Sequence, residues 1–520
     1  MPPDRRSISA GWVALLLLAP ASALAHGFAV RYDLPVPLGF FLAGAGATVV
    51  LTFLALALWA RPRTSRPWKP SPRIVLPGAG RIVSNPWVAG ALQITAVFFF
   101  VLVVAAGLFG DIDPYHNIST TFVWVIWWVG MMFVNTFIGD VWALANPWNI
   151  IFAWAEKIAR AVKRNARLSL GLPYPQRLGS WPAVILFLAF AWLELTWGEG
   201  EDTQKLASVI IRYSLITWAA MVVFGRRPWL NYGEPFAVVF STFARFAPLA
   251  LGVVGHGRPR CDHGRETSMG VVVGCPACFE EAPAARRVIV LRAPGAGLLT
   301  QHPVSPSMAA MVLTLLATVT FDGFLTTPAW IAIHEYLQAL PLLAPLWGAP
   351  WMTLKLKFYL LETPVLLLFP LIFAAAFLLC CRLTSRVAGG ATTATVAGHF
   401  VLTLLPIAIA YHLAHYVVYL LLTGQFIIPT LSDPFGFGWD IFGTASYKAD
   451  IGLIGAKFAW YTGVIAIVTG HLIAVYLAHR TALHLFSDGT RSARSELPML
   501  ALMVAYTMTS LWIIAQPTVQ

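Results

Sequence analysis

Charge is what this sequence has least of. Of its 520 residues 11% are Asp, Glu, Lys or Arg, against 58% hydrophobic, whereas soluble domains carry roughly 25% charged residues. That shortage excludes an ordinary soluble domain. Acidic residues are scarcer than basic ones, 23 against 35, leaving a net charge of +12. Cysteine is scarce as well: five in the whole chain exclude a disulfide framework as the source of stability. There is no phosphate loop, no C-x-x-C-H haem attachment motif and no Ser/His/Asp order that suggests a hydrolytic triad. No internal repeat marks duplicated transporter halves.

What the chain has instead is long apolar runs. Segments of the roughly 20 residues needed to cross a bilayer fall at 38–60, 88–109, 119–139, 179–197, 204–224, 305–325, 357–381, 396–422, 452–478 and 497–515. The expected fold is an all-α, polytopic integral membrane protein with about ten transmembrane helices. Basic residues collect after the odd-numbered spans: Arg61, Arg63, Arg66, Lys69, Arg73 and Arg81; Lys157, Arg160, Lys163, Arg164 and Arg167; Arg226 and Arg227; Arg382 and Arg386; Arg480, Arg491 and Arg494. Acidic residues mark the alternate loops, at Asp111 and Asp113, at Glu199, Glu201 and Asp202, and at Asp433 and Asp440. By the positive-inside rule the basic loops are cytoplasmic and both mature termini lie outside. The positive charge is then topological, the lipid bilayer is the partner it serves, and nothing calls for nucleic acid. A bacterial-type cytoplasmic (inner) membrane is the expected location.

The N-terminus has its own pattern. Arg5 and Arg6 precede an apolar run from Gly11 to Pro20, followed by Ala23-Leu24-Ala25 and His26. This reads as a signal peptide over residues 1–25, with small residues where signal peptidase cuts. Cleavage would leave His26 first, its α-amino nitrogen and ring Nδ1 able to chelate one metal ion, an arrangement that suits copper(II). That start resembles secreted copper proteins that use a histidine brace, a resemblance confined to one residue and its position. The chain then divides into an N-terminal membrane region (26–254, about five spans), a polar insertion (255–303) and a C-terminal membrane region (304–520, about five spans).

The insertion carries Cys261-Asp-His263 and Cys275-Pro-Ala-Cys278. Three thiols and an imidazole in two close pairs match a tetrahedral structural zinc site, and the flanking Arg258, Arg260, Arg286 and Arg287 place it in the cytosol. The expectation is a small zinc-ribbon-like element that staples a loop too small to hold a core.

Ionisable groups inside the bilayer are costly and need a partner or a purpose. His412 and His415 lie three residues apart on the eighth span, in its outer half. Asp322, at the outer end of the sixth span, His334 beyond it and His116 in an outer loop share that side with His26. The expected outer metal site is His26, His412 and His415 with Asp322 as ligand or orienting group, His334 and His116 being further candidates. Towards the cytoplasm, His399 and His471 sit at similar depth on two helices and are candidate axial ligands of a b-type haem.

Three functional readings follow. The first is a membrane metalloprotein with an outward-facing transition-metal centre, copper by its nitrogen ligands, with redox chemistry open to it. The second is a metal-ion or proton-coupled transporter in which His412, His415, Asp322 and His471 form a relay; polar groups at both ends of the path and few in its middle count against it. The third is a haem-bearing electron carrier or an accessory subunit among other membrane or periplasmic subunits. Whether the chain is an enzyme stays open at this level. The Pro429–Asp440 loop, rich in turn formers and aromatics, is expected to fold over the outer end of the eighth span.

Overall fold

The structure is a computed structural model that describes residues 34–59, 73–255, 265–266, 270–486 and 494–516. The signal-peptide segment, His26, Cys261 and His263 lie outside the described residues.

Helices dominate, as composition requires. Among the described residues nine are long and apolar enough to cross a membrane: α1 (Leu38–Trp59), α2 (Pro86–Phe109), α3 (Ile118–Phe137), α6 (Thr203–Phe224), α8 (Pro306–Leu325), α9 (Leu354–Ala388), α10 (Thr393–Ser432), α11 (Ala456–Leu485) and α12 (Leu497–Ala515). The fourth expected span is shorter, the 15-residue α5 (Trp181–Leu195). Between α3 and α5 lies the amphipathic α4 (Pro147–Val162), which buries Trp148, Ile150 and Phe152.

Local signals explain where these helices begin. Asn85, Ser305 and Thr353 each accept a hydrogen bond from a first-turn backbone N–H of α2, α8 and α9. Proline occupies the first turn of α2 and α8, where its missing N–H costs nothing. Inside α10 the ladder tightens to a 3₁₀ turn at Val401–Leu404 just before Pro406, whose ring cannot share the regular pattern.

α8 and α10 form the buried centre. Nearly every side chain of α8 from Met308 to Gly323 is buried, and α10 packs along α11 while α8 contacts α5, α9 and α10. The outer helices turn large apolar side chains outward, among them Phe40, Leu51 and Leu58 on α1, Ile94 and Phe98 on α2, and Leu371 and Ile372 on α9. A helix that is apolar on every face needs a non-aqueous surround.

The strands are the main departure from the all-α expectation. Five antiparallel strands, β1 (Arg73–Leu76), β2 (Leu249–Val254), β3 (Arg265–Glu266), β4 (Val271–Val273) and β5 (Arg287–Arg292), form one sheet in the order β1-β5-β2-β4-β3. Arg73 pairs with Arg292 and Leu249 with Leu291. The sheet reaches beyond the 255–303 insertion. It starts at Leu249 and takes its edge strand from 73–76, so two distant segments of the chain build it together. Residues 234–251 divide into the helix α7 (Pro235–Ala244) and the start of β2.

The sheet sits where α3 and α6 end. Leu249 N–H donates to Ile138 O at 3.1 Å, and Arg226 bonds both Glu280 carboxylate oxygens at 2.7 and 3.0 Å. At the opposite end the 433–440 loop closes on the 110–117 loop: Asp111 N–H donates to Phe435 O at 2.7 Å. Asp433 holds this loop's shape by accepting from the N–H groups of Phe437, Gly438 and Trp439.

Candidate functional site

Towards the end of the bundle away from the sheet, α3, α5, α8 and α10 bring polar side chains together in an apolar surround. α10 supplies His412, His415 and Tyr416, α8 Asp322, α5 Glu194 and α3 Trp128. Trp128 belongs to a π-helical stretch, Thr121–Gly130, of the kind that often marks functional positions.

Tyr416 is the hub. Its hydroxyl stands 2.5 Å from Asp322 Oδ2 and 3.4 Å from Glu194 Oε1. Glu194 Oε1 also accepts from Trp128 Nε1 at 2.7 Å, and His415 Nε2 lies 2.9 Å from Asp322 Oδ2. Asp322 is 5% exposed and His412 likewise 5%. His412 packs against Trp128, Phe133 and Phe243, and its buried Nε2 has no hydrogen-bond partner. Beside it is a cavity of about 20 Å³ lined by Trp128, Glu194, Thr318, His412 and Tyr416, room for about one water molecule.

The two imidazoles do not face one another. The Tyr416 ring stands between them, 4.5 Å from the His412 ring and 4.7 Å from that of His415. His415 is turned to Asp322 and His412 to the cavity, so a three-residue spacing on one helix has produced two environments. Among the described residues no group of three His, Cys, Asp or Glu side chains is placed to hold a metal ion.

The other expected ligands are dispersed. His116 is exposed and pairs with Asp113 at 3.5 Å. His334, on a helix at Pro328–Ala339, stacks on Phe358 at 5.1 Å and hydrogen-bonds Gln338. Cys275 and Cys278 are joined to each other as a disulfide. The axial pair is not assembled either: His399 lies against His484, ring centroids 6.5 Å apart, and the thirteen residue steps of α11 from His471 to His484 span about 20 Å. His471 instead donates through Nδ1–H to Ile467 O at 2.8 Å and leaves Nε2 buried without a partner.

Sequence reasoning missed the groups between these ends. Tyr411, one turn before His415, buries a hydroxyl with no hydrogen-bond partner against Gly323, the residue after Asp322. Thr320 and Tyr506 share a hydrogen bond of 2.5 Å, and the Tyr506 ring lies 5.9 Å from that of His471. Two turns further along α11, His479 Nδ1 lies 3.1 Å from both oxygens of the buried Glu496. Polar groups thus occur at successive depths through the core. Nothing in the apolar stretch 497–515 flagged Tyr506, since a lone tyrosine in a span reads as packing.

No protein-family model, no curated protein and no solved structure matches this chain.

Proposed function

We propose that this chain is a proton-coupled membrane transporter, with Asp322, Glu194, Tyr416 and His415 as its proton-binding cluster. The observation that carries the reading is one phenolic hydroxyl between two carboxylates, the half-buried Glu194 and the buried Asp322, which also meets an imidazole. Two carboxylates that close repel in a medium that screens poorly, and uptake of a proton or a cation relieves the repulsion. Tyr411, Thr320, Tyr506 and His471 supply the intermediate depths that a relay needs. They answer the objection that the middle of the path is empty.

The test is proton flux in liposomes holding the purified protein, read with an entrapped pH dye after an imposed gradient. Wild-type protein should dissipate the gradient faster than Asp322→Asn by about tenfold or more, about 1.4 kcal/mol in barrier. Equal rates for wild type, Asp322→Asn and empty liposomes would end this reading.

The metalloprotein reading keeps one supporting observation, the unpartnered Nε2 of His412 beside a cavity. In it, cleavage after Ala25 frees His26 to bind copper with His412 or His415. Elemental analysis separates the two: about one copper per chain, lost when a single Ala is inserted before His26, would favour the metal centre. Zinc on Cys261, His263, Cys275 and Cys278 would belong to the reduced form of the sheet region, and haem b on His399 or His471 to the electron-carrier reading. The proposed setting is a bacterial-type inner membrane with both mature termini outside.

A further inference from the structure

Three arginines meet where the sheet joins the bundle. Arg73 on β1 and Arg292 on β5 are directly paired across neighbouring strands, and both line a cavity of about 40 Å³ together with Arg245, which follows α7. Like charges placed opposite one another on a sheet repel, and here the repulsion is in a poorly solvated place. Arg292 is 9% exposed. Among the described residues Asp140 is the carboxylate that lines the cavity.

The packing holds this arrangement in place. Arg292 Nε and Nη2 donate to Ala247 O at 2.9 Å and Ala244 O at 2.8 Å, which fixes the guanidinium plane. Gly297 leaves room for Nη1, because a Cβ there would come within 2.7 Å of it. Arg73 Nε is buried with no hydrogen-bond partner. Burial and the charges of Arg73 and Arg245 push Arg292 down to about 10, still protonated at neutral pH, while burial pushes Asp140 up to about 6.

We infer that this cavity binds a phosphate group, with the guanidinium groups of Arg73, Arg245 and Arg292 around its oxygens. Planar guanidinium forks match a tetrahedral oxyanion, two N–H groups to two oxygens. An anion there removes the like-charge repulsion and supplies the partner that Arg73 Nε lacks. The same chemistry comes from two sources, inorganic phosphate and the headgroup of an anionic phospholipid, since basic pockets at the ends of membrane helices take such headgroups.

The experiment uses the full chain in detergent with Arg73→Gln, Arg292→Gln and, as a surface control, Arg160→Gln. Two quantities are measured: equilibrium binding of labelled inorganic phosphate to delipidated protein, and phosphatidylglycerol retained on protein taken from phosphatidylglycerol/phosphatidylethanolamine vesicles, read by native mass spectrometry. Saturable phosphate binding weakened about tenfold or more in Arg73→Gln, and unchanged in Arg160→Gln, would establish a site for the free anion. Retention of phosphatidylglycerol that falls in Arg73→Gln without phosphate binding would assign the site to a lipid headgroup. If Arg292→Gln elutes as aggregate, Arg73→Gln decides alone, because its side chain leaves from an edge strand. Failure of the wild type to bind either probe, or equal binding by wild type and Arg73→Gln, overturns the inference.

Discussion

Tyr416 has one hydroxyl proton and two carboxylates within reach, at 2.5 and 3.4 Å, so it donates to one and leaves the other to find a proton elsewhere. Replacing it with Phe keeps the ring between His412 and His415 and removes the bridge. Tyr416→Phe should slow proton flux by about tenfold or more while thermal unfolding changes by no more than a few kcal/mol, the cost of stranding buried acceptors. Flux unchanged in that variant would show that the hydroxyl is packing, not relay. Asp140 allows a second residue-level prediction. Its carboxyl is pushed up to about 6 by burial, above its value in an unfolded chain. The folded state therefore binds the proton more tightly, and this residue's contribution to stability is fully present below about pH 4 and is lost as pH rises through about 6. Asp140→Asn should flatten that decline between pH 4 and 7, measured by thermal unfolding in phosphate-free buffer; an unchanged slope would mean Asp140 is not its source. Of these residues, Asp322, His412 and His415 were legible in the sequence because charge inside an apolar run is rare. The Tyr416 bridge was not, since pairing between helices has no signature in one chain.

Between elements, α10 and α11 approach closely where they cross. A Cβ on Gly470 would come within 2.6 Å of Pro406 O and would also strike the Ala410 side chain, so the two helices meet backbone to backbone. Small residues at membrane helix crossings permit such packing. Gly470→Ala should cost about 1–3 kcal/mol and lower the unfolding temperature in detergent; because His471 follows directly, it should also reduce flux. No change in unfolding temperature would show that the helices separate easily. The spans themselves were legible from hydropathy, nine as full-length helices and the fourth as the 15-residue α5. The sheet was not. β1 is four residues long and β3 two, too short for alternation to register, and β1 lies far along the chain from its partner β5. The C-x-x-C pair was equally legible as a motif and ambiguous as chemistry, because two thiols at that spacing bind each other as readily as they bind a metal.

At the scale of the whole molecule the two ends differ in kind. One end carries the sheet, the arginine cavity and the bridges from Arg226 to Glu280 and from Arg227 to Glu281. The other carries the acidic loops, with Asp433 organising one of them. The positive-inside rule reads the first as cytoplasmic, and the proposed orientation then puts the Asp322 cluster in the outer half of the bundle and the His479–Glu496 pair in the inner half. A relay between them would have an entrance on each side. The orientation is testable apart from the relay. Alkaline phosphatase fused after Ala515 should be active and, fused after Lys163, inactive, since that enzyme matures only where disulfides form; green fluorescent protein at the same two points should give the opposite pattern. Activity reversed at both points would place the sheet and its arginine cavity outside the cell. Arg73 and Arg292 would then face the outer leaflet, and the phosphate they hold would be drawn from there.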